Sequence, residues 1–212
     1  SRLRDADGHS LRPGQYLALA RRYGLLATID HRLLMRCLQL IGETERRGHK
    51  VGFFANLAPA TLSPGPLLEE FLATVGPQPE WRGKLIPELA QAALENSGDG
   101  LAAGLDALAR MGFHFSLDQV QDLAALDPGR LSTQGFRYVK VPATLLLAPE
   151  NAETAAGLKR RLAARSIELI VEKVETEAQL TSLLRLPIDY AQGYRLGEPR
   201  LGRRPAPGRP AE

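Results

Sequence analysis

A single cysteine, Cys37, in a chain of 212 residues leaves no internal disulfide to form and no multi-cysteine zinc cage to build. It falls at a helical position among leucines, so it reads as a small buried side chain in a reducing compartment. Histidine is nearly as scarce: His9, His31, His49 and His114 stand apart and read as non-ligands. No window reaches the ~18 consecutive apolar residues that a bilayer-spanning helix needs, and no secretory leader pattern is visible. The net charge is only +3. Most of the basic residues fall on helical faces and in the final segment, which argues for solvated surfaces rather than a nucleic-acid footprint. What remains is a chain with 44% hydrophobic residues, enough for one sizeable core.

Six strand-like apolar runs organise the chain: 51-VGFFAN-56, 84-KLIPEL-89, 113-FHFSLD-118, 136-FRYVK-140, 167-IELIVE-172 and 188-IDYAQ-192. Each carries a polar residue at or near its end: Asn56, Glu88, Asp118, Lys140, Glu172 and Gln192. Helix-like stretches lie between them. One is opened by Asp30 as an N-cap and runs to about residue 47. It repeats Leu33, Leu34, Cys37, Leu38 and Ile41 at helical spacing. Residues 152–165 and 176–186 make two more helices. Strand–helix alternation predicts parallel β/α units. In a closed barrel of such units the strand C-termini converge on one face, where ligands and metals bind. Two amides, three carboxylates and an ammonium gathered there suit a hard cation and a phosphate. Pro87 inside the second run is at odds with a ladder, because proline lacks the donor. Residues 119–135 are the least regular stretch. Residues 200–212, basic and proline-rich, read as a disordered tail, leaving 1–199 as one domain.

In order along the chain, these residues resemble the EAL domain, the bacterial family of cyclic-di-GMP phosphodiesterases and their inactive relatives. The stretch 12-RPGQYLALARRYGLLATIDHRLL-34 looks like the region after the family's Glu-Ala-Leu. Asn56 in 55-ANLAP-59 matches the metal-binding Asn. Glu88 in 88-ELAQ-91 matches the first Glu of Glu-x-Thr-Glu, and Asp118 the first Asp of Asp-Asp-Phe-Gly. Lys140 in 140-KVP-142 matches the Lys of Lys-Ile-Asp. The segment 171-VEKVETEAQL-180 is similar to Ala-Glu-Gly-Val-Glu-Thr and places Glu172 and Glu175. Finally, 192-QGYRLGEP-199 is close to the Gln-Gly-Tyr signature. The resemblance implies an α/β fold, a modified TIM-like (β/α) barrel of the EAL type. Its N-terminal strands, with the Glu-Ala-Leu itself, are missing and would fall before Ser1. The chain therefore reads as a cytoplasmic piece of a longer protein, with no direct membrane insertion of its own.

By the same resemblance, Asn56, Glu88 and Asp118 would form a partial site for one Mg²⁺ or Mn²⁺. Lys140 and Glu172 would hold the ancestral catalytic role of orienting the attacking water. Arg2, Lys140, Glu175, Gln192, Gly193 and Tyr194 would contact cyclic-di-GMP. The departures from the pattern weigh as much. Gln119 replaces the second Asp, 120-VQDLAAL-126 replaces the Phe-Gly-Thr-Gly loop, Ala90 and Gln91 replace Thr and Glu, and Pro142 replaces the Asp after Lys140. Two hard cations a few Å apart need carboxylate charge, and Gln119 is neutral. The expectation is a catalytically degenerate domain that acts as a cyclic-di-GMP receptor in motility or biofilm signalling, with a protein partner. Two alternatives stand beside it: a nucleotide-independent scaffold, and a weakly active phosphodiesterase with Asp122 as an unconventional second-metal ligand.

Overall fold

The computed structural model describes residues 3–4, 7, 9–49, 51–96 and 98–198. An antiparallel hairpin, β1 (Leu3–Arg4) and β2 (Ser10–Leu11), leads into α1 (Pro13–Arg22) and α2 (Leu26–Glu45). There follow β3 (Phe53–Asn56), α3 (Pro59–Leu62), α4 (Pro66–Val75), β4 (Leu85–Ala90), α5 (Gln91–Glu95), α6 (Asp99–Arg110) and β5 (Phe115–Asp118). The chain continues through α7 (Pro128–Thr133), β6 (Phe136–Pro142), α8 (Ala143–Leu146), α9 (Ala152–Ala163), β7 (Glu168–Glu172), α10 (Glu177–Leu183) and β8 (Tyr190–Ala191). Strands β3 to β8 pair in parallel and in sequence order. Among the described residues this is an open β/α barrel with β3 and β8 as its edge strands, built from the parallel β/α units that the alternation predicts. Among the described residues no helix is long and apolar enough to cross a membrane.

Local chemistry explains the element ends. Pro13 opens α1, where its missing N–H has no partner to lose, and Gly24 turns the chain at φ +66° before α2. Thr176 caps α10 reciprocally with Gln179: Thr176 Oγ1 accepts from the Gln179 N–H, and Gln179 Oε1 accepts from the Thr176 N–H.

Two expectations need correction. Helix α2 starts at Leu26, so Asp30 lies inside it and is not its N-cap. The Asp30 carboxylate instead serves α3, accepting from the Ala58 N–H and from Thr61 Oγ1, both at 2.7 Å. A helix start leaves its first N–H groups unpaired, and Asp30 supplies one acceptor from a neighbouring helix. Pro87 is tolerated within β4: its Cα lies opposite Ala55 on β3, and pairing with β5 begins only at Glu88.

Period-two alternation sorts the sheet into two faces. Leu85, Leu89, Phe115, Leu117, Val139, Val141, Leu169 and Val171 point to the helical side and are at most 2% exposed. They form one apolar cluster with Ile41 of α2, Leu105 and Leu108 of α6, and Leu158 and Leu162 of α9; Cys37 is buried in the same cluster. Helix α6 approaches α3 so closely that a Cβ at Gly104 would lie 1.7 Å from the Leu62 carbonyl oxygen. The other face carries paired residues from successive strands. Phe54 and Asn56, Ile86 and Glu88, Ser116 and Asp118, Tyr138 and Lys140, and Ile170 and Glu172 each give one apolar or small residue and, two positions on, a polar one. Tyr190 joins this face opposite Ile170, and Gln192 continues its period.

Candidate functional site

The polar residues of that inner face form a buried acid end. Glu88 is 3% exposed, Lys140 5%, Asp118 7% and Glu172 7%. Charges are rarely buried this deeply without partners. Lys140 Nζ lies 2.6 Å from Glu88 Oε1 and 4.5 Å from the Phe54 ring centroid. Asn56 Nδ2 donates to Glu88 Oε2 at 3.4 Å, so β3, β4 and β6 meet at one carboxylate. Burial pushes the Glu88 carboxyl above the usual glutamate range. The Lys140 hydrogen bond and charge oppose that rise, the Asp118 charge adds to it, and the Ser116 hydroxyl opposes it. Asp118 Oδ1 is buried with no hydrogen bond among the described residues. Glu172 pairs elsewhere, its Oε1 lying 3.3 Å from Lys173 Nζ.

The second region is an open edge built from backbone contacts. The Val174 N–H donates to the Gln192 carbonyl at 3.1 Å, and the Arg195 N–H donates to the Val174 carbonyl at 3.0 Å. The two loops lie so close that a Cβ at Gly193 would sit 2.2 Å from the Val174 carbonyl oxygen, so only glycine fits. Arg195 also pairs with Glu177. A cavity of about 350 Å³ lies over this edge, lined by Lys173, Glu175, Gln192, Gly193, Tyr194 and Glu198 among others. Tyr194 is 64% exposed, which leaves its ring free for a flat ligand.

Between these regions runs the irregular loop after β5. Gln91, buried at the start of α5, clamps it: its Oε1 accepts from the Gln121 N–H at 2.8 Å and the Asp122 N–H at 3.2 Å, and its Nε2 donates to the Asp122 carbonyl at 3.1 Å. The residue read from sequence only as a loss is thus a loop anchor. Asp122 Oδ1 accepts from the Ala124 N–H at 2.8 Å. Gln119 sits at φ +50°. Beside it is a cavity of about 380 Å³, lined by Asp118, Gln119, Gln121, Pro142, Glu172 and Lys173 among others.

The structure brings Asn56, Glu88 and Lys140 into contact, sets Asp118 near Glu88, and gathers Glu175, Gln192, Gly193 and Tyr194 at the open edge. Arg2 lies outside the described residues. The sequence reading does not single out Lys173. Its signal is in the motif: Lys173 stands where the Ala-Glu-Gly-Val-Glu-Thr pattern has glycine, and its backbone keeps the left-handed conformation, φ +56°. As a cation site, the acid end offers one amide and two carboxylates, with the Asp118 oxygen left without a donor. That donor chemistry fits one hard cation. Gln119 and Pro142 bring no charge beside Asp118, and among the described residues no three His, Cys, Asp or Glu side chains gather as a metal cage.

Fold and site together define a β/α-barrel protein with its polar residues collected at the strand C-terminal ends. The EAL domain family matches residues 1–199, and the chain belongs to that family. It is similar to "Probable cyclic di-GMP phosphodiesterase PdeA" of Escherichia coli (strain K12), with 24% identity over 207 residues, 91% of this chain and 27% of that protein. The chain thus spans little more than a quarter of that relative's length. Among solved structures, the FimX EAL domain of Xanthomonas citri in complex with c-diGMP superposes with a TM-score of 0.77 at 21% identity, covering 93% of this chain and 79% of that one. The Vibrio cholerae LapD S helix-GGDEF-EAL chain, bound to c-di-GMP, gives 0.75 at 20% identity, covering 91% and 47%. At these identities the superpositions establish the fold.

Proposed function

We propose that the protein is a catalytically degenerate EAL domain that binds cyclic-di-GMP without hydrolysing it. The observation that carries this reading is the contrast at the strand ends. The edge of Gln192, Gly193 and Tyr194 stands open beside its cavity, while the neighbour of Asp118 is the neutral, left-handed Gln119. Asn56, Glu88 and Asp118 would hold one Mg²⁺ or Mn²⁺, which when bound would offset acids that otherwise repel a phosphodiester. A second cation has too little carboxylate charge to sit beside it, and two-metal hydrolysis needs both ions. Lys140 is committed to Glu88. Glu172 Oε1 lies beside Lys173 Nζ at 3.3 Å. The domain then acts as a regulatory module in motility or biofilm signalling, its occupancy read by a protein partner through differential affinity for bound and free states.

The test is calorimetric titration of the protein with cyclic-di-GMP and Mg²⁺, with chromatography of the nucleotide afterwards. Binding at micromolar affinity or better with the nucleotide recovered intact supports the reading. Conversion to the linear dinucleotide overturns its non-catalytic half, and absence of binding overturns its receptor half.

A further inference from the structure

We infer that Lys173 is a phosphodiester-binding residue, a built-in cation that supplies at this site the charge a second metal ion would otherwise bring. This rests on the cyclic-dinucleotide reading above. Three observations converge on it. Among the described residues Lys173 is the one shared by the two cavities, the one over the Gln192–Tyr194 edge and the one beside Asp118 and Gln119. Among the described residues it is also the only cation in either lining, where Glu175, Glu198, Asp118 and Glu172 contribute negative charge. A dianionic ligand lying across both cavities meets acids on each side and this ammonium at the junction.

The backbone gives the third observation. Lys173 holds φ +56°, a conformation that glycine adopts freely and that disfavours any side chain. The family pattern has glycine here, so the lysine opposes local preference, and burial does not explain it: its side chain is 61% exposed. Its present partner is a single carboxylate oxygen, Glu172 Oε1 at 3.3 Å, which has no hydrogen bond among the described residues. An ammonium with three donors has two left for phosphate oxygens. Lys140 cannot play this part, because it is buried against Glu88.

The experiment titrates cyclic-di-GMP into wild type, Lys173→Met, Lys173→Arg and Lys173→Gly, in EDTA and in Mg²⁺, with melting temperatures recorded alongside. Wild type is expected to bind in Mg²⁺, Lys173→Met to bind roughly tenfold more weakly under the same condition, and Lys173→Arg to stay close to wild type. The salt dependence of the affinity weakens with the charge. Lys173→Gly is expected to melt higher and bind worse, a divergence that a merely structural lysine would not produce. If wild type binds and Lys173→Met binds equally well, the lysine assignment falls and the receptor reading stands. If wild type binds only with Mg²⁺, the comparison is made there, and equal affinities of wild type and Lys173→Met overturn the assignment. If wild type binds under neither condition, both fall.

Discussion

The acid end and the open edge of the site are made by opposite means. Glu88, Asp118, Lys140 and Glu172 are side chains sealed within the sheet, none more than 7% exposed. At the edge, backbone hydrogen bonds between the Val174 and Gln192–Arg195 segments carry the architecture, and the side chains stand in solvent. The difference teaches where change is tolerated. A substitution at the acid end disturbs the fold before it disturbs a ligand, whereas one at the edge can alter recognition and leave the fold alone.

The sharpest break in that contrast comes from Lys140→Met, which leaves Glu88 buried without its cation. Denaturant unfolding should show a loss of about 3–5 kcal/mol, and adding Glu88→Met should recover much of it. A single variant as stable as wild type would mean the pair is not sealed. Next is Gly193→Ala. Its Cβ would collide with Val174 at 2.2 Å, so the loops must part. The expected cost is about 1–3 kcal/mol in stability, with nucleotide binding lost in the same titrations. Unchanged affinity would show that the edge is not the ligand's seat. Tyr194→Ala should leave stability within about 0.5 kcal/mol while weakening binding by roughly 1–3 kcal/mol through the lost stacking surface. The reverse pattern would move Tyr194 to the structural side.

The smallest effect concerns Asp30, whose carboxyl burial holds above its ordinary value of 3.8, with the Ala58 and Thr61 hydrogen bonds opposing. A raised folded value favours the protonated form. The contribution is therefore fully present below the unfolded value and fades as pH rises through the folded one. Melting curves taken upward from acid pH should show this decline in wild type and a flatter profile in Asp30→Asn. Parallel profiles would exclude it.

The barrel order and the strand-end positions are legible in the sequence because period-two alternation and a polar terminus recur in each run. The pairings are not. Nothing in spacing says that Lys140 reaches across β5 to Glu88 on β4 rather than pairing with Glu172 on the adjacent β7. Asp30 looks like a cap for its own helix because capping chemistry is local, but its acceptor is used 28 residues on by Ala58. The left-handed backbone of Gln119 is not announced by its residue type as a glycine's is, and that of Lys173 is legible only through the glycine of the family pattern.

The alternation of the inner and outer sheet faces also governs fidelity of assembly. Shift any one of β4 to β7 by a single residue and Glu88, Asp118, Lys140 or Glu172 would turn into the helix-packed apolar layer, while Leu89, Leu117, Val141 or Val171 would turn toward the cavity. Each misaligned strand would bury a charge among leucines and phenylalanines. The polar residues therefore act as proofreaders of strand alignment, a task that persists whether or not a nucleotide is ever bound.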